Sequence, residues 1–361
     1  MSGAAAGRLL AVSDLHVSFR ENREVITSLR PGSRDDWLLV AGDVGELSAD
    51  IEWALGTLRE RFATVVWSPG NHELWTHPAD PVQLRGEHRY RHLVSLCRRL
   101  GVLTPEDPYP VWRGAGGPAV VAPLFVLYDH TFLPPGATTK AEAIAQALSA
   151  GVLCTDELML HPDPYPSREA WCQARVEQTV RRLEAVDATM PTVLMNHFPL
   201  VRDPTRVLRH PEFAQWCGTV RSAAWHRRFR ARAVVYGHLH IPRTTWHDGV
   251  RFEEVSLGYP GEWQRRPNQP YAPRRILPGL SGLEVGANPF PPLFIDGRCA
   301  GTRRRRRGAG LSRRRRGAVR ERYGLVDRDA SQRRAGELRV VGYEPGVSTS
   351  LRCENDPESE L

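Results

Sequence analysis

Eight side chains in this sequence are of the kinds that hold metal ions and move protons, and each stands just past a short apolar run. They fall in five motifs: Ser13-Asp14-Leu15-His16, Gly42-Asp43-Val44-Gly45-Glu46, Gly70-Asn71-His72-Glu73, Asn196-His197 and Gly237-His238-Leu239-His240. Two carboxylates, a carboxamide and four imidazoles are enough for two metal ions, with one further imidazole left over for acid–base work. Such mixed oxygen and nitrogen ligation suits Mn²⁺, Fe²⁺ or Zn²⁺ better than Mg²⁺ or Ca²⁺, which prefer oxygen. Two cations close together are a recurring means of cutting phosphate esters. At a strand end Asp14 and His16 can aim at one ion, and Asp43 after the next strand can bridge two.

The elements that must position these residues share one grammar. β-forming runs precede them at Arg8–Val12, Trp37–Ala41, Thr64–Trp67, Thr192–Met195 and Ala233–Tyr236. Runs apolar on both faces suit strands buried in a layered α/β protein, and α/β sheets commonly build sites past the carboxyl ends of their strands. Helical spacing relates Ile51, Ala54, Leu55, Leu58 and Phe62, with Ser48 expected as N-cap and Asp50 in the first turn. Leu93, Leu96, Cys97 and Leu100 form a second stripe that Gly101 is placed to end. A third helix is expected over about Ser167–Val186. The fold class is therefore α/β, a sandwich of sheets flanked by helices. Residues 104–166 are proline-rich and less regular, with a strand expected at Ala119–Tyr128 and a helix near Lys140–Ala150. They read as an insertion that overhangs the site and selects the substrate.

The charge is unevenly placed. Residues 281–361 hold 17 Arg against 11 Asp or Glu, so that stretch alone carries +6 of the formal +8. The first 280 residues hold 32 basic and 30 acidic side chains and are nearly neutral. The expected organisation is a catalytic domain over 1–280 and an Arg-rich, disordered tail over 281–361, with unbroken blocks at Arg303–Arg307 and Arg313–Arg316. No apolar stretch approaches a membrane span, the first residues lack a secretory pattern, and a cytoplasmic location is expected. The six scattered cysteines contain no Cys-x-x-Cys pair and read as idle thiols.

These motifs, in this order, resemble those of the calcineurin-like metallophosphoesterase superfamily, whose D-x-H, G-D, G-N-H-E, H and G-H-x-H pattern is matched across residues 14–240. The resemblance implies an α/β/β/α fold and two divalent metal ions, Mn²⁺ and/or Fe²⁺, with Zn²⁺ the alternative. It implies that Asp14, His16, Asp43 and His240 bind the first ion, and that Asp43, Asn71, His197 and His238 bind the second. His72 would touch the phosphate and protonate the leaving oxygen. The protein phosphatases of the superfamily carry an Asp-Arg-Gly after G-D, where Glu46 and Leu47 follow Gly45 here. That departure argues against a protein phosphatase.

A closer resemblance rests on DDWLLVAGDV, SPGNHELWTHPADP, VLYDHTFLPPGATTKAEA, MPTVLMNHFPLVRDP and YGHLHIPRTTWHDGVRFEEVSLGYPGEW. Together they are similar to the actinobacterial 4′-phosphopantetheinyl hydrolases, through about residue 278. This implies a phosphodiesterase that removes the 4′-phosphopantetheine arm from serine of an acyl or peptidyl carrier protein. The alternative is the same chemistry on nucleotides or other small phosphate esters. A protein-binding scaffold without activity is disfavoured because no motif residue is missing. Nucleic-acid binding by the tail is the lesser reading, since no aromatic residues are interleaved with its two arginine blocks.

Around the motifs, Glu46 and Glu73 are expected to support ligands or helix starts, not to ligate. Trp75, Trp246 and Trp263 are candidates for the pocket wall or the core. Arg202, Arg243 and Lys140 are candidates for phosphate or carrier contact, and Tyr128, Asp129 and His130 for the cleft. His77, His88, His92, His161, His210, His226 and His247 read as structural or surface residues.

Overall fold

Alternation within each strand decides the layering. The computed structural model describes residues 7–266, 271–279 and 340–341. Strands β1 (Leu9–Val12), β2 (Trp37–Val40) and β3 (Thr64–Trp67) are followed by β4 (Val111–Trp112), β5 (Ala119–Pro123) and β6 (Leu153–Cys154). Then come β7 (Thr192–Met195), β8 (Ala231–Tyr236), β9 (Arg243–His247), β10 (Val250–Glu254) and β11 (Arg274–Leu277). One sheet has the order β11-β1-β2-β3 and the other β4-β5-β7-β8-β10-β9. Their centres are parallel, and β11, β4 and β9 add antiparallel edges.

Leu9, Ala11, Leu39, Ala41 and Val66 point inward from the first sheet to meet Val121, Val193, Met195, Ala233 and Val235 of the second in one dry core. Their neighbours Leu10, Val12, Leu38, Val40, Val65 and Trp67 face the other way and join the core beneath the helices. With successive side chains on opposite faces, an all-apolar strand can serve both layers only in such a sandwich. The outer layers include helices Ser48–Arg59, Gly86–Arg99 and Arg168–Glu184, which bury their apolar stripes. The architecture is the expected α/β/β/α.

Several boundaries differ from the sequence reading. Ser48 is the first helical residue, not its cap; Leu47 holds the cap position, and Asp80 accepts from both the Ser48 amide and its hydroxyl at 2.8 Å. Gly101 behaves as expected, at φ +73° beyond helix Gly86–Arg99. Ser167 caps the long helix by accepting from the Ala170 amide. The strand expected over Ala119–Tyr128 stops at Pro123, and Leu124–Tyr128 continues as a buried loop held by Asn196, whose amide pairs with both backbone groups of Val126. β4 and β5, which fall within 104–166, belong to the second sheet. The expectation for 281–361 lies outside the described residues apart from Val340–Val341, which pair in parallel with β6. Among the described residues no helix is long and apolar enough to cross a membrane. Cys97, Cys154, Cys172 and Cys217 are free and buried.

A buried ion network joins two of these helices. Glu106 receives Arg175 Nη2 at 2.7 Å, Tyr90 Oη at 2.8 Å and Gln178 Nε2 at 2.9 Å. Burial opposes ionisation of Glu106, but Arg175 and Tyr90 outweigh it and hold its pKa at about 2, below the ordinary 4.5. A carboxyl depressed in the folded state contributes stability above its unfolded pKa, lost as pH falls through the folded one. Glu106→Gln should therefore cost about 3–5 kcal/mol at neutral pH by stranding the Arg175 charge. In urea titrations at a series of pH values, its deficit against wild type should shrink between pH 4.5 and about 2.

Candidate metal centre

The motif residues converge from both sheets on the seam between them. Asp14 and His16 follow β1, Asp43 follows β2, Asn71 and His72 follow β3, His197 follows β7, and His238 and His240 follow β8. Five of these turn off their strands through positive φ: Asp14 (53°), His16 (39°), Asp43 (52°), His238 (70°) and His240 (54°). For non-glycine residues this is a sparsely populated, strained region, and such strain clusters at functional sites.

Two donor sets result. In the first, His240 Nε2 lies 3.1 Å from Asp14 Oδ1 and 3.2 Å from His16 Nε2. In the second, His197 Nε2 lies 3.2 Å from each of Asp43 Oδ2, His238 Nδ1 and Asn71 Oδ1. Asp43 also has donor atoms within 4.8 Å of those of His16 and His72, which puts it between the sets. Carboxylate, carboxamide and imidazole atoms packed around two points suit divalent cations.

The imidazoles are oriented from behind. His197 Nδ1 donates to the Ala41 carbonyl at 2.8 Å and His240 Nδ1 to Glu262 Oε2 at 2.8 Å, which leaves each Nε2 to face the donor set. Ser256 Oγ donates to Asp14 Oδ2 at 2.7 Å, and Ser13 Oγ contacts the same oxygen. Burial, with repulsion from His197, pushes His238 down to about 3, and burial also lowers His16, so both are neutral at pH 7. Burial opposes ionisation of Asp14 and Asp43, yet the facing imidazoles hold both carboxyls low.

His72 stands apart from the pairing pattern. Its Nδ1 donates to Glu46 Oε1 at 2.8 Å, and its Nε2 looks toward Asp43 Oδ2 across 3.9 Å. Burial disfavours its charged form, but Asp43 and Glu46 outweigh that and raise its pKa to about 9. It is therefore a proton-bearing group beside the donor sets.

Residues 7–242 match the family described as Calcineurin-like phosphoesterase. The chain belongs to the calcineurin-like phosphoesterase family. It is 57% identical over 288 residues to the acyl-carrier-protein phosphodiesterase PptH of Mycobacterium tuberculosis, covering 80% of this chain and 88% of that protein. The crystal structure of phosphopantetheinyl hydrolase (PptH) from Mycobacterium tuberculosis superposes with a TM-score of 0.75 at 56% identity, over 76% of this chain and 98% of that one. As a member of this family the protein is a metal-dependent phosphoester hydrolase.

Around this phosphoesterase site the remaining candidates sort cleanly. Trp75 is buried with its ring 3.7 Å from that of His72, Trp263 donates to Asn22, and Trp246 is 63% exposed on edge strand β9. Arg202 is bound to the Leu133 carbonyl, Arg243 to that of Pro204 and Lys140 to Glu169, so each has a structural partner. Asp129 accepts from Thr219 and Arg221, while His130 packs against Tyr128 and Trp216; none of Tyr128, Asp129 and His130 joins the donor sets. His226 pairs with Asp248.

Sequence reasoning missed Glu262, Ser256, Tyr259 and Phe213. Tyr259 lies 4.6 Å from the His16 ring and 4.7 Å from that of His240, and Phe213 stacks on His238 at 5.7 Å. The only signal for Glu262 is its place in a short helix three residues after Tyr259, whose amide it also accepts.

Gly70 sets a steric limit on the centre, because a Cβ there would overlap the Asp43 carboxylate and the Asp43 amide. Gly70→Ala should displace that carboxylate at a stability cost of about 1–3 kcal/mol. Elemental analysis should find the purified variant short of metal relative to wild type, with a lower melting temperature.

Proposed function

We propose that this protein hydrolyses the phosphodiester linking a 4′-phosphopantetheine arm to serine of a holo-acyl or peptidyl carrier protein, releasing 4′-phosphopantetheine and the apo-protein. The observation that carries the reading is the 57% identity to a relative named as an acyl-carrier-protein phosphodiesterase, over 88% of its length. All eight motif residues stand in one constellation, which supports a working hydrolase. Asp14, His16, Asp43 and His240 would hold one divalent cation, and Asp43, Asn71, His197 and His238 a second, with Mn²⁺ and/or Fe²⁺ preferred on the chemistry of the donors and Zn²⁺ the alternative.

Such a pair of cations, when bound, neutralises charge on the phosphate and makes water acidic enough to attack at neutral pH. The chain's own residues govern the rest. Water oxygen forms a bond to phosphorus as the bond from phosphorus to the serine oxygen breaks. The serine oxygen leaves as a strongly basic alkoxide and needs a proton. His72 Nε2 can deliver it, because Glu46 engages Nδ1 and fixes the ring with Nε2 toward the donor sets. Tyr259 packs against the rings of His16 and His240, and Phe213 stacks on that of His238.

Incubated with holo-carrier protein and Mn²⁺, the enzyme should remove one phosphopantetheine mass from the carrier in an intact-mass spectrum. No mass loss with any acyl or peptidyl carrier would transfer the reading to nucleotides or other small phosphate esters. In the same assay His72→Ala should keep its metal while cleaving the carrier about 100- to 10,000-fold more slowly. Loss of metal from His72→Ala would show that its role is misassigned.

A further inference from the structure

Asp156 is a fully buried carboxylate that the proposed chemistry does not use. It lies in the irregular segment between β5 and β7, at the start of the short helix Asp156–Met159. Among the described residues no basic side chain forms an ion pair with it, and its Oδ2 has no hydrogen-bond partner. Its Oδ1 accepts from Asn71 Nδ2 at 2.9 Å and from the Trp75 indole N–H at 2.6 Å. Burying a carboxylate without a counter-charge is expensive, and two neutral donors only partly offset that. The nearest guanidinium, that of Arg168, is bound to the Asp156 backbone carbonyl and to Glu157 and does not pair with the carboxylate; the direction in which Asn71 points indicates where a further positive charge would sit.

A carboxamide has two ends of opposite character. With Nδ2 committed to Asp156, Asn71 turns Oδ1 toward His197 Nε2, 3.2 Å away. The reverse orientation would present N–H groups to a cation and repel it. The same carboxylate oxygen anchors Trp75, whose ring lies 3.7 Å from that of His72. One buried acid thus sets two neighbours of the proton-bearing imidazole, and it comes from a segment outside both sheets.

We propose that Asp156 is a positioning residue of the metal centre, the group through which the segment after β5 fixes Asn71 for the cation shared with Asp43, His197 and His238. The inference rests on the two-cation reading above. Asp156 acts through Asn71 and touches neither cation nor substrate.

Calorimetric titration of chelator-stripped full-length protein with Mn²⁺ tests it without any substrate. Wild type should take up two cations; if it does not, the two-cation reading fails and not this one. Asp156→Asn keeps the shape and removes the charge. It should weaken one of the two binding events about 10- to 100-fold and spare the other, with circular dichroism confirming the fold. Asn71→Ala should weaken the same event, and Asp156→Asn added to Asn71→Ala should change cation binding no further. A merely structural role would lower the melting temperature with both affinities intact. That result, or additive losses in the double variant, overturns the proposal. Asp156→Glu, which keeps the charge but displaces it, should show the same selective loss and substitutes if Asp156→Asn does not fold.

Discussion

The centre depends on one carboxylate that ligates nothing. Glu73 accepts the amide N–H groups of Asp43 at 2.9 Å, Val44 at 3.0 Å and Gly70 at 2.9 Å, and the Trp67 indole at 3.3 Å. Four donors on two oxygens tie the loop after β2 to the loop after β3. They also satisfy backbone groups that a sharp departure from a strand leaves without ladder partners. Asp43 in turn accepts from the His72 amide at 3.0 Å. The carboxylate between the donor sets and the imidazole beside them are therefore held by one continuous hydrogen-bonded knot, buried where water cannot compete.

Strain at the donor positions arises from the same geometry. A strand that simply continued would keep residues two apart on one face but spaced roughly 6–7 Å along it. Turning through positive φ at Asp14 and His16, and again at His238 and His240, takes the chain off that straight course at the donor residues themselves. The cost of those conformations is met by the packing of strands that carry almost no exposed surface.

Much of this is legible in the sequence because each expected ligand follows an apolar run whose end marks a strand. β3 and β7 fall on the residues read from the sequence, and β1, β2 and β8 differ by one or two. The helices near residues 140 and 168 fall within one or two residues of the expected bounds. The residues that escape such reasoning are those whose meaning is set by tertiary proximity alone. Asp156 is 85 positions from Asn71, and Glu262 is 22 from His240, with no local pattern to distinguish either from a surface acid. Ser48 has the right spacing for a cap, but Asp80, 32 residues on, claims its polar groups. Strand β5 is shorter than its apolar run because apolarity continues past Pro123 into a buried loop, and burial is not pairing.

Neither sheet owns the centre. The acids and the carboxamide come from β1, β2 and β3, and three of the imidazoles from β7 and β8, so the donors lie on opposite leaves of one sandwich. Any cation seated between them is a rivet through the protein's dry interior, and its affinity is part of the cohesion of the two leaves. A chelator applied to this enzyme would leave it folded but easier to melt as well as inactive, the grip of one leaf on the other loosened.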